Sequence, residues 1–197
     1  MAMSTTLFAV TPEALAHLEA NPESIHKLVS KKTYDTYLWT TLPYFLSGGA
    51  DEDEASDDDD EAEAGDEAED EAGEDGGEAR DDEEEAEADD LLASVLTGTR
   101  SVSCSRLENG AFHVMPVGKV IELAALLAAV KSAQLKDAVL DAELEDVLDG
   151  EVWEELEQLD LQEPEEVAAQ LVKDLKSLVT FYAFAAKQRL AIVSYTT

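Results

Sequence analysis

The sequence predicts an α+β fold: a small mixed sheet packed with several helices, with a long C-terminal helix followed by an edge or closing strand. Three observations carry this. Thr5–Val10 is a short β-branched and apolar run bounded by a turn signal. The stretch after Pro164 places Val167, Leu171, Leu175, Leu178, Tyr182 and Ala185 on one helical stripe. Leu190–Tyr195 then reads as a strand directly after that helix.

The elements between follow in order. Thr11 caps a first helix and Pro12 suits its opening turn. Asn21-Pro22-Glu23 repeats the signal for a second short helix with Ile25 and Leu28 as its apolar positions. From Tyr34 to Leu46 the spacing of Leu38, Leu42 and Phe45 predicts one helix, kinked or shortened by Pro43 and closed by Gly48-Gly49. The aromatics Tyr34, Tyr37, Trp39, Tyr44 and Phe45 belong to its packing face. Leu91–Leu96 predicts a short helix ended by Gly98. Ser101–Ser105 and Phe112–Met115 read as strands joined by Asn109-Gly110 into a hairpin. Pro116 starts a helix with Val120, Leu123, Leu127 and Val130 on one face. Leu135–Leu148 is helical in composition, and Gly150 and Trp153 mark a turn with an anchor.

Charge is concentrated in one place. The 197 residues carry 47 Asp+Glu against 13 Lys+Arg, a net −34. Between Asp51 and Asp90 there are 26 acidic residues and one base, Arg80, whereas the remaining 157 residues are net −9. A halophile-type surface would spread the acid evenly, so that class is excluded. Direct binding to nucleic acid or anionic lipid wants a basic face and is not expected either. The segment 51–90 has no aromatic, no branched aliphatic and no Pro. Ordering its backbone would cost about 1–2 kcal/mol per residue with no apolar burial to offset it, so it is expected not to fold.

Few groups suggest chemistry. Cys104 is the one cysteine and reads as a small buried side chain in a strand. Met1–Val10 lacks a basic n-region, and Leu123–Val130 is too short to span a membrane, so a cytoplasmic protein is expected. His17 and His26 have no ligand-spaced partner. His113, on a short strand beside Phe112, is the candidate for a cleft. No nucleophile elbow, phosphate loop or zinc-helix motif occurs, and Asp57-Asp58-Asp59-Asp60 lacks the spacing of a calcium loop. No metal, cofactor or catalytic residue is therefore assigned, and the protein is expected not to be an enzyme.

Trp39 through Gly48 resembles the tryptophan-to-glycine helix of the YfbM-like domains of unknown function. Leu92–Gly98 with Asn109–His113 is similar to that family's central block, and Trp153, Leu175–Tyr182 and Leu190–Val193 to its C-terminal helix and strand. The likeness covers nearly everything except 51–90. It implies one compact α+β domain over 1–197 with a disordered polyacidic insertion, and it implies no reaction. Two places depart from the family pattern: Pro43 stands where a helix former is usual, and His113-Val114 where an arginine–aromatic pair is common.

Three functional readings follow. The first is a non-catalytic domain that binds a basic protein, most concretely an immunity-type inhibitor of a toxin or effector. Its contacts would come from the acidic segment, represented by Asp57, Asp58, Asp59, Asp60, Asp81, Asp82, Glu83, Glu84 and Glu85. The second is a small-ligand or housekeeping enzyme domain using His113. The third is a nucleic-acid mimic acting through the acidic segment alone.

Overall fold

The computed structural model describes residues 4–38, 40–47, 79–142, 156, 159–161 and 163–197, and the backbone alone for 79–85. Five strands form one sheet: β1 (Thr5–Val10), β2 (Lys32–Thr36), β3 (Arg100–Ser103), β4 (Ala111–Met115) and β5 (Ala191–Thr196). Their order is β2-β1-β5-β4-β3, and every pairing is antiparallel, so the sheet contains no parallel pair to make it mixed. The last strand takes the closing position, at the centre of the sheet.

The strands alternate as half-buried strands should. Leu7 and Ala9 face one side with Ile192 and Met115, whereas Val10, Ala191, Val193, Phe112 and Val114 belong to the other core. Helix α1 (Pro12–Ala20) covers that second face, with Leu15 and Leu18 buried. Thr11 caps it, its hydroxyl accepting from the Ala14 N–H at 3.2 Å. A 3₁₀ turn over Pro22–Lys27 adds Ile25. Cys104 is buried here, its Sγ 3.4 Å from the Pro22 carbonyl.

The region Tyr34–Leu46 differs from expectation. It is not one helix: β2 comes first, and α2 (Thr41–Leu46) follows. Tyr34 and Thr36 are buried while Thr33 and Asp35 are exposed, which is a period of two. Leu38, Leu42 and Phe45 are buried all the same, so their spacing fits both readings. Pro43 is the third residue of α2. A helix's first turn has no internal partner for that N–H, so the proline is accommodated without a kink.

A second correction concerns the acidic segment. Helix α3 runs Ala79–Ala93, so its residues 79–90 are helical although the sequence expectation placed them in a segment that does not fold. Alanine and glutamate are strong helix formers. The helix is also anchored at its C-terminal end, where Leu91, Leu92, Val95 and Leu96 are buried. The residues 51–78 lie outside the described residues, as do Trp39, Gly48-Gly49, Gly150 and Trp153.

The remaining helices cover the first face. They are α4 (Val117–Ala129), α5 (Ser132–Asp141) and α6 (Pro164–Lys187). All six residues of the expected α6 stripe are buried. Tyr182 is wholly buried, and its hydroxyl donates to the Val95 carbonyl at 2.6 Å, tying the end of α3 to α6. At the end of α6 Arg189 adopts φ 51. The Arg189 N–H donates to Ala186 and the Leu190 N–H to Ala185, a Schellman closure that drops the chain straight into β5.

Candidate functional site

The helix-covered face of the sheet becomes polar toward one end. Thr5, Thr36 and Ser194 are buried there, and the Thr5 and Thr196 hydroxyls meet at 2.8 Å. At this end a cleft of about 260 Å³ opens between β2 and α6. Its walls include Thr36, Tyr37 and Leu38 from β2 and the residues after it, Gln170 and Asp174 from α6, and Leu159 and Leu161. Asp160 separates the two leucines at φ 57, a left-handed conformation that aspartate tolerates.

Asp174 is the chemical centre of the cleft. The Thr36 hydroxyl donates to its Oδ2 at 3.2 Å, and the Gln170 side-chain amide donates to its Oδ1 at 3.2 Å. Thr36 is in turn fixed by the Leu38 N–H, which donates to its Oγ1 at 3.1 Å. Burial raises the Asp174 carboxyl above its ordinary 3.8, against those two hydrogen bonds and the field of Lys173. Tyr34 lies one alternation before Thr36 on the same face of β2. Its hydroxyl is buried beside Thr36 and Asp174. Burial, and then the Asp174 charge, push that phenol well up. Asp35 also borders the cleft, but its carboxylate is engaged on the opposite face, accepting from the Thr6 hydroxyl at 2.6 Å.

The raised Asp174 carboxyl gives a pH test. A carboxyl whose folded pKa is raised costs stability when ionised, and the cost disappears as pH falls through the folded and then the unfolded value. Asp174→Asn should therefore melt higher than the parent at pH 7. The two should converge only as pH falls well below the ordinary 3.8, where both side chains are neutral. Thermal melts across that range check it, and a variant that is less stable at pH 7 and equal at neither end contradicts it.

The residues singled out from sequence fall elsewhere. His113 sits on β4, in register between Ser101 and Ser194, partly buried, with burial lowering its pKa. It borders neither this cleft nor the groove beside α3. Asp81, Asp82, Glu83, Glu84 and Glu85 lie on α3, and Asp57–Asp60 outside the described residues. The groove beside α3, about 400 Å³, is bordered by Glu87, Asp90, Leu91, Ser94, Thr99 and Lys119. Lys119, the cation among the described residues that border it, is paired with Glu122 at 2.6 Å. Among the described residues no group of three or more His, Cys, Asp or Glu is placed to hold a metal ion. No helix among them is long and apolar enough to cross a membrane.

These features define the class: an α+β domain whose central strand is its last, with a small polar cleft at one edge strand. The chain belongs to the family described as a domain of unknown function (DUF1877), whose model matches residues 1–195. A solved structure, that of the protein of unknown function YfbM from Escherichia coli, is similar over 98% of this chain and 99% of that one. The TM-score is 0.55 at 12% identity, a likeness of fold. None of the curated proteins matches the chain.

Proposed function

We propose that this protein binds a basic protein partner in the cytoplasm and catalyses no reaction, an immunity-type inhibitor of a toxin or effector being its most concrete form. The observation that carries the reading is the seating of α3. Eight of its fifteen residues are acidic, yet its C-terminal end is fastened by Leu91 and Leu92. Acid on a free chain attracts any cation. Acid on a helix fixed to the fold is presented in one orientation, which favours one complementary surface. The segment 51–78 adds 18 acidic residues to the same side of the sequence and extends the attraction.

Capture with the immobilised full-length chain, followed by association kinetics with whatever basic protein is retained, tests this. Association should slow by about tenfold or more between 50 mM and 500 mM salt, because surface charge is screened within about 10 Å at 0.1 M. Retention of no protein partner, or a rate indifferent to salt, removes the proposal. Competition by an isolated 51–78 peptide as strong as that of the whole protein would favour the nucleic-acid-mimic reading instead.

A further inference from the structure

We infer that the cleft between β2 and α6 receives a cation on a short apolar stem, a guanidinium above all, with Asp174 as counter-ion and Tyr37 stacking at the rim. Among the described residues Asp174 has neutral hydrogen-bond partners, Thr36 and Gln170, one on each oxygen. A carboxylate has about four acceptor positions, so acceptor capacity remains on both oxygens. Among the described residues no Lys, Arg or His borders the cleft, and no ion pair involves Asp174.

A second observation is the setting of the carboxylate. Tyr34, 8% exposed, lies behind Thr36 and Asp174 and keeps water from that side of the carboxylate. A guanidinium brings five N–H donors in a planar fork, enough to engage both carboxylate oxygens from the open side. The walls fit the rest of such a ligand. Leu38, Leu159 and Leu161 offer apolar surface to methylenes, and Tyr37, half exposed, offers a ring face to the cation. The volume equals roughly eight or nine waters at about 30 Å³ each, room for one short side chain.

The source of the cation is an arginine of the protein partner, and this clause rests on the proposed function. Calorimetry on the full chain tests the site with two probes: N-acetylarginine methylamide, which stands for a protein side chain, and ethylguanidinium, which stands for a free small cation. Saturable binding is expected, weakened at least tenfold by Asp174→Asn and severalfold by Tyr37→Ala, which leaves the core intact. Glu108→Gln, an exposed carboxylate of the β3–β4 loop, should change nothing. Tighter binding of the blocked arginine supports the protein source. Equal binding of both probes supports the site but assigns it to a small-molecule cation. No saturable binding, or undiminished binding by a folded Asp174→Asn variant, overturns the inference. A captured basic partner that binds Asp174→Asn as well as the parent overturns the cleft's role in capture and leaves the proposed function standing. Probe binding without any captured partner does the reverse.

Discussion

Gly98→Ala is expected to destabilise the fold by about 3 kcal/mol, from two causes that act on the same atom. Gly98 has φ +65, and an L-residue held in that region costs about 1–2 kcal/mol. A β-carbon there would also stand 2.9 Å from the Val114 carbonyl oxygen, which is backbone of β4 and cannot swing away. The glycine closes the turn after α3, its N–H donating to Ser94 at 2.8 Å, and Thr99 then pairs with Val114. Gly110→Ala is the internal comparison. Gly110 has φ +69 but nothing within 4 Å of its added β-carbon, so only the conformational part applies, about 1 kcal/mol. Chemical denaturation of both variants checks this. Equal losses would show that the contact with Val114 relaxes freely.

The second large effect distinguishes two deletions that composition alone treats alike. Replacing 51–78 by an eight-residue Gly/Ser bridge shortens a loop without touching a described element. Loop closure changes by about 0.6 kcal/mol per halving, so stability should hold or rise by roughly 1 kcal/mol. Extending the deletion to residue 90 removes twelve of the fifteen residues of α3. Leu91 and Leu92 then lose the helix that presents them, and at about 1.5–3 kcal/mol per buried leucine the loss should reach about 3 kcal/mol. Melting curves of the two deletions should therefore separate clearly. Identical curves would mean that residues 79–90 contribute nothing to the fold.

What could be read from sequence depended on how many residues shared one signal. The stripe of α6 repeats through six positions, and all six are buried. The β3–β4 hairpin announced itself by Asn109-Gly110. In contrast, β2 was hidden because Tyr34, Leu38, Leu42 and Phe45 sit at spacings of three and four that also fit a helix. The decisive alternation was only five residues long. The helicity of 79–90 was hidden for another reason: those residues bury little themselves and are held from Leu91 onward. The cleft was illegible. Asp174 reads as one more acid on α6, and only its position three after Leu171 hints that it borders the buried stripe. Its partner Thr36 is 138 residues away. No spacing rule reaches across that distance; the sheet register does. The polar strip of Thr5, Thr36 and Ser194 was hidden likewise, since each looks like an ordinary strand hydroxyl.

The proposed role of Asp174 also bears on its predicted pH behaviour. A carboxylate that weakens the folded state while having a local function is a common trade between stability and activity. The two Asp174→Asn measurements, one of melting and one of probe binding, should therefore move in opposite directions.

The central place of β5 has a consequence for how the molecule comes into being. Thr5 pairs with Thr196, and β4 reaches β1 only through β5. While the chain is being made, β1–β2 and β3–β4 are two separate ribbons, each with an open edge facing the place of the missing strand. Such edges recruit other strands readily. Contacts this far apart in sequence also form slowly. The ribosome must release residues 191–196 before the two halves become one sheet, so the growing chain is most prone to wrong pairing until β5 emerges.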